Sequence, residues 1–405
     1  MTGPTFPAET TPVSSPRPAL PNPLKGWRPQ ISSAHGHVAT AWLGPQVGVI
    51  TVVVLSAFDH GAATATIWGA VLWLVSWVVS GFVYAPYTTP ARANARNYGE
   101  LMNRLATLEA RRDEFCNQAT NAACTEATEH LAWVSEQTKA SGELKWVNGA
   151  GYIAIWQRLH RAEEALIGAE PDTHLLDEAL HDELRLKDSA IPNRDDLLAM
   201  LKTVTRFLSD GTIDPTAVPR INNADQARSA LKEVRFSVNE FRDSSWNGLL
   251  QLRNQTMTTL LLTNVTLFVF AVVAVASGAR GPAMLAAAIF YLVGAMIGLF
   301  NRLYQQFQAQ TAIEDYGLTM ARLLAIPVYS GLAAVAGVLI TVVAGSATGS
   351  KAPELSSVFK IPPEIGLLVV AAAFGAAPDL VLKRLADASE KFKTGIASTE
   401  PANRA

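Results

Sequence analysis

The chain has 405 residues, of which 49% are apolar and only 17% charged, and its net charge is −2 at neutral pH. That length can hold two or three domains, and the apolar balance leans toward a membrane. There is no positive excess and no Arg/Lys stripe with interleaved aromatics, so nucleic acid is excluded as a partner.

The first 30 residues hold eight of the 22 prolines and no apolar run. Residues 1–37 therefore read as a disordered tail rather than a signal or transit peptide. Val38 to Phe58 carries no charge, and neither does Gly61 to Ala91 after Asp59-His60. Each run exceeds the ~20 residues that a membrane-spanning helix needs, so 38–91 is read as a first transmembrane hairpin. Pro45 shortens or kinks its first helix.

The segment 92–256 is helical in pattern, with no alternating β-branched run. Tyr98, Leu101, Leu105, Leu108 and Phe115 recur at helical spacing, as do Ala227, Leu231, Val234, Val238, Phe241, Leu249 and Leu252. One of these helices leaves the second span and the other enters the third, so the spacing predicts an antiparallel stalk whose apolar stripes pack on each other or on the hairpins between them. The only two cysteines, Cys116 and Cys124, show no CxxC pairing and read as reduced, structural thiols.

Two further apolar pairs follow. Residues 257–300 form a second hairpin turning at Arg280-Gly281, and 323–382 a third, interrupted near its end by Pro378-Asp379. Between them, 301–322 is a cytoplasmic linker with a partly apolar face, and 383–405 is a short cytoplasmic tail. The fold class read from the sequence is all-α: a polytopic membrane protein of about six spans, with a helical bundle inserted between spans 2 and 3. Lys25, Arg28, Arg92, Arg96, Arg104, Arg253, Arg302, Arg322, Lys383 and Arg384 flank the spans on one side. The positive-inside rule then places both termini and 92–256 in the cytoplasm of a cell-membrane protein.

Within the bundle, "HLLDEALHDELRL" (174–186) contains Glu178-x-x-His181, the spacing of carboxylate-bridged metal sites. At ~100° per residue, Glu178 and His181 turn away from the apolar side formed by Leu175, Leu176, Ala179, Leu180, Leu184 and Leu186. A second Glu-x-x-His pair is missing, so these two are weak metal candidates. Glu183 instead falls in the middle of that apolar face. On the preceding helix (152–167), His160 and Glu163 fall among Trp156, Leu159, Leu166 and Ile167. The short "GAEPD" joint predicts an antiparallel pair that brings His160 to Glu183. His160, Glu163 and Glu183 are thus the candidate buried polar cluster. Buried carboxylates need partners, and Arg158 and Arg161 are near in sequence.

Within the spans, Asn264 is the central polar residue and Asp379 a helix-end acid. Gly294-xxx-Gly298 and Ala333-xxx-Gly337 allow close helix approach. No Walker A, GxGxxG, GxSxG, HExxH or kinase signature occurs, which favours a non-enzymatic protein without a cofactor. The expected partners are the bilayer, further copies of the chain, and a cytoplasmic protein or small molecule sensed by the bundle. An oligomeric pore gated by the bundle is the alternative, and a helical-bundle metal enzyme or sensor the third reading.

Overall fold

The computed structural model describes residues 40–83, 89–117, 121–139, 150–187, 189, 191–211, 221–279, 281–308, 317–347 and 358–379. Among them every regular element is a helix. In chain order these are α1 (Leu43–Ala57), α2 (Ala62–Val83), α3 (Thr89–Cys116), α4 (Ala122–Lys139), α5 (Ala150–Leu166) and α6 (Asp172–Lys187). They continue with α7 (Arg194–Asp210), α8 (Ala224–Ala276), α9 (Gly281–Gln308), α10 (Leu318–Ala347) and α11 (Ile365–Ala376). The tail expected over 1–37 and the one over 383–405 lie outside the described residues.

Four helices are long and apolar enough to cross a bilayer: α2, α8, α9 and α10. The first and last apolar segments also form helices, but of 15 residues in α1 and 12 in α11. At 1.5 Å per residue these reach only about 22 and 18 Å, short of a ~30 Å hydrocarbon core. Pro378, two residues beyond the end of α11, disfavours helical backbone at the residue before it.

The apolar helices pack through small residues. A Cβ added at Gly294 would meet the Ser330 carbonyl at 2.6 Å, and one at Gly298 would lie 3.0 Å from the carbonyl of Gly375. Gly337 faces the ring of Phe374. These glycines let α9, α10 and α11 approach closely, around a core of Phe290, Ala334, Val338 and Ala371. Van der Waals contact of this kind is what drives helix association in lipid. The short α1 packs on α2, α8 and α9, with Val52 against Phe268.

Among the described residues the polar bundle has two large apolar cores and a small cluster of Ile153, Trp246, Leu249 and Leu250 between α5 and α8. Leu101, Leu105 and Leu108 of α3 meet Ala127, Leu131 and Val134 of α4 and Ile155, Leu159 and Ala162 of α5. Leu175, Ala179 and Leu186 of α6 meet Leu197, Leu201 and Val204 of α7 and Ala227, Leu231 and Val234 of α8. In this arrangement the apolar stripe of α3 packs on α4 and α5, one of the two packings expected for it, rather than along α8. One expectation is corrected: α5 and α6 do not pack chiefly on one another, since α5 pairs with α4, α6 pairs with α7, and both touch α8. A short joint permits a helix pair but does not enforce it: the apolar residues of α5 enter the core with α3 and α4, and those of α6 the core with α7 and α8.

The longest element, α8, has 53 residues. Asn223 caps its start, accepting a hydrogen bond from the Gln226 amide at 2.8 Å. The Gln226 side chain accepts in turn from the Asn222 amide at 2.7 Å. Such reciprocal capping satisfies donors that the first turn otherwise leaves open. The helix contains no proline and one glycine, Gly248, and ends at Ser277-Gly278, where Gly278 has φ of 86°. Its axis is about 80 Å long at 1.5 Å per residue.

A candidate functional site at the seam of two helical cores

Between the two apolar cores lies a layer of buried charge. At its centre is Arg235 of α8, with 2% of its side chain exposed. Its guanidinium donates to Glu163 of α5, to Glu178 of α6 at 2.5 Å and to Asp182 of α6 at 2.7 Å. Two arginines of α3 close the network: Arg104 pairs with Glu163, and Arg111 with Glu178 and, at 3.5 Å, with Glu170. Three guanidiniums thus hold four carboxylates. Burying such groups costs several kcal/mol each unless charge and hydrogen bonds compensate, and here each acid touches at least one arginine.

Burial raises the pKa of a carboxyl, but Arg235 and Arg104 outweigh it at Glu163 and hold that group down at about 2. Glu178 is also lowered, because its bonds and charges with Arg235 and Arg111 exceed the burial effect. At Asp182 burial prevails over Arg235, and at Glu170 over Arg111, so both are pushed up. The seam therefore contains acids that stay ionised and acids that take up protons more readily than usual.

A second group of contacts lies one turn away on α5 and about two turns away on α8. His160 of α5 is buried between Asp243 and Arg242 of α8: Nδ1 is 3.0 Å from the Asp243 carboxylate and Nε2 is 2.5 Å from Arg242. A guanidinium can only donate and a carboxylate only accept. The partners therefore assign the neutral ring, with Nδ1–H donating to Asp243 and Nε2 accepting from Arg242. Burial first and Arg242 next lower the His160 pKa, against the opposing bond to Asp243. The Arg242 guanidinium also lies 5.1 Å over the ring of Trp246, which packs edge-on against Trp156 at 5.4 Å. Asn239 donates to Glu164 at 2.9 Å; burial raises this acid, and the bond opposes the shift only in part.

The structure brings His160 and Glu163 into this seam but places Glu183 elsewhere, 3.4 Å from Lys187 on the rim of α6. The acid buried from α6 is Asp182, 1% exposed. The buried stripe of this helix is Leu175, Ala179, Asp182 and Leu186. Leu180 and Leu184, which drew the expected face toward Glu183, are 42% and 64% exposed. Glu178, expected to face water, is bonded to two arginines, whereas His181 is exposed. With its oxygens taken by guanidiniums, Glu178 is not placed as a metal ligand beside His181. Arg158 hydrogen-bonds His130 at 3.0 Å rather than the expected cluster.

Sequence reasoning missed Arg235, Asn239, Arg242 and Asp243. Their signal was periodicity: counting four residues at a time from the apolar Leu231 gives Arg235, Asn239 and Asp243, polar groups at core positions. In the membrane, Asn264 is fully buried and donates to the Trp42 carbonyl at 3.1 Å, tying α8 to the start of α1. Asp379 is exposed just past α11, and its expected partners Lys383 and Arg384 lie outside the described residues. An open cleft of about 500 Å³ at the start of α7, lined by Ser189, Ile191 and Asn193–Asp196, shares no residue with the seam. No family model, curated protein or solved structure matches the chain.

Proposed function

We propose that this chain is a non-enzymatic membrane protein whose helical domain senses a cytoplasmic partner, small molecule or proton and relays that state into the bilayer. One observation carries the reading. The single helix α8 holds Arg235, Asn239, Arg242 and Asp243 in the buried seam and continues without interruption into an apolar span packed on α1 and α10. A helix of this kind transmits a shift or rotation at one end to the other, because its backbone bonds leave little freedom between them.

The seam suits a two-state element. It joins the core of α3–α5 to that of α6–α8 through ion pairs and hydrogen bonds, beside the apolar contact of Ile153 and Trp156 with Leu250 and Trp246. Such contacts depend on geometry and charge, whereas apolar burial is non-directional. His160 supplies a trigger. In its neutral form Nε2 accepts from Arg242; once protonated, that nitrogen donates and repels the guanidinium, so Arg242 must leave. The reading includes six membrane crossings and a domain on the cytoplasmic side, as the flanking Lys and Arg suggest. Glu163, Glu170, Glu178 and Asp182 are paired with guanidiniums, Glu164 with Asn239, and His160 is bonded at both nitrogens, which suits a structural latch better than a free general base.

Hydrogen exchange on the full-length protein in lipid nanodiscs tests the proposal. Arg235→Leu should speed exchange in α5 and α6, and also change protection in 257–276 and in α9. A change confined to the polar bundle would refute the relay.

A further inference from the structure

Cys116 ends α3 and Cys124 lies in the first turn of α4, and a disulfide joins them across eight residues of sequence. The structure thus joins two thiols that the sequence left unpaired: the end of α3 and the first turn of α4 hold their Cα atoms 5.6 Å apart, within bridging range. The domain that carries them is read above as cytoplasmic, and the following inference rests on that reading. In a reducing compartment a disulfide is ordinarily transient, formed and broken as part of a redox response.

The two sulfurs differ in their surroundings. Cys116 is partly buried at the edge of the α3–α5 core, and Cys124 is buried. Asn121 caps α4 by accepting from the Cys124 amide at 2.8 Å, which fixes Cys124 at the positive end of the helix dipole. The more open sulfur is thus the one an external thiol reaches, and the enclosed one leaves as a thiolate whose charge the helix end favours. The bond also sits at the end of the helix that sends Arg104 and Arg111 into the seam.

We propose that Cys116 and Cys124 form a reversible thiol–disulfide exchange site for low-molecular-weight disulfides of the glutathione type, which fixes the end of α3 on α4 when oxidised. In the oxidising direction the Cys116 thiolate attacks a glutathione disulfide, forms a mixed disulfide and releases one glutathione. Cys124 then attacks the Cys116 sulfur and releases the second glutathione. The protein dithiol loses two electrons and two protons, and one glutathione disulfide becomes two glutathione molecules.

Thiol trapping on the full-length protein in cell membranes provides the test, using acid quench and a maleimide mass tag before and after a diamide pulse. Both cysteines should be tagged in unstressed cells, neither directly after the pulse, and both again on recovery. On purified protein equilibrated with glutathione and glutathione disulfide, hydrogen exchange in 101–116 should slow severalfold on oxidation. Cys116→Ser should abolish that response. Two thiols that persist through the pulse would overturn the exchange site and leave the topology standing. A bond present in all unstressed molecules would overturn both, since it places the domain in an oxidising compartment. Unchanged exchange in 101–116 would overturn the role in fixing α3.

Discussion

Replacing Arg235 with leucine removes the cation on which three buried acids converge. Two of them keep a second arginine: Glu163 retains Arg104 and Glu178 retains Arg111. Asp182 keeps only the exposed Arg185 at 4.0 Å, so it bears most of the loss. Stranding one member of a buried ion pair costs ~3–5 kcal/mol. For a cooperative unit of 150–250 residues, each kcal/mol shifts Tm by about 2–4 °C, so Arg235→Leu should lower Tm by roughly 6–20 °C. Thermal unfolding of the detergent-solubilised chain, followed by circular dichroism at pH 8 and pH 5, reads this directly. The penalty should shrink at pH 5, because a stranded Asp182 escapes it by taking a proton. Adding Asp182→Leu to Arg235→Leu should recover part of the loss, since an apolar pair replaces an unpaired charge. A Tm within a degree of wild type, or a penalty unchanged from pH 8 to pH 5, would refute the claim that Arg235 neutralises a buried acid layer.

His160 is held below its ordinary pKa of 6.5, so as pH falls through that value the unfolded chain binds a proton that the folded chain resists. Its stabilising contribution is present above pH ~6.5 and is lost on acidification; His160→Gln should flatten that part of the Tm–pH profile between pH 7.5 and 5.5, and an unaltered slope would count against the latch. Glu164, Glu170 and Asp182 act in the opposite sense, being raised, so they destabilise least at acid pH and the variant's remaining slope should reflect them. Gly298→Val should cost about 1–3 kcal/mol by overpacking α9 on Ser330, whereas Gly366→Val, which meets nothing within 4 Å, should be near neutral in the same melting assay. Gly248→Ala also meets nothing within 4 Å and lies in mid-helix, so it should stabilise α8 by roughly 0.5–1 kcal/mol, and a loss of stability would show that α8 needs a flexible point there.

Much of the architecture follows from simple sequence signals. Charge-free runs mark every apolar helix, because a bilayer tolerates few charges and any backbone crossing it must satisfy its own hydrogen bonds. Helix length is less legible: Pro45 and Pro378 warned of short first and last helices, but the count of apolar residues overestimated their regular span. In the polar bundle, His160 and Glu163 were visible as polar groups on an apolar face. Asp182 was not, because Leu176, Leu180 and Leu184 form an i, i+4, i+8 stripe that looks like a core face yet lies largely exposed. Hydrophobic periodicity assumes that leucines face inward, and that assumption fails when the buried layer is itself charged. The arginine partners were legible only by asking which charges fall on the continuation of the Ala227–Leu231–Val234 stripe. The pairing of α5 with α4 and of α6 with α7 follows from tertiary packing, which no local pattern records.

The relay through α8 is most directly measured by a spin label at Val273, an exposed position in the apolar part of the helix, in nanodiscs. The label is followed in wild type and in His160→Gln, with and without a glycine pair replacing the exposed Gln251 and Leu252, which lie between the seam and the apolar part of α8. With α8 intact, His160→Gln should change the spectrum at Val273, and the glycine pair should abolish that change while the seam still responds. An identical spectrum at Val273 in all four proteins would contradict the relay.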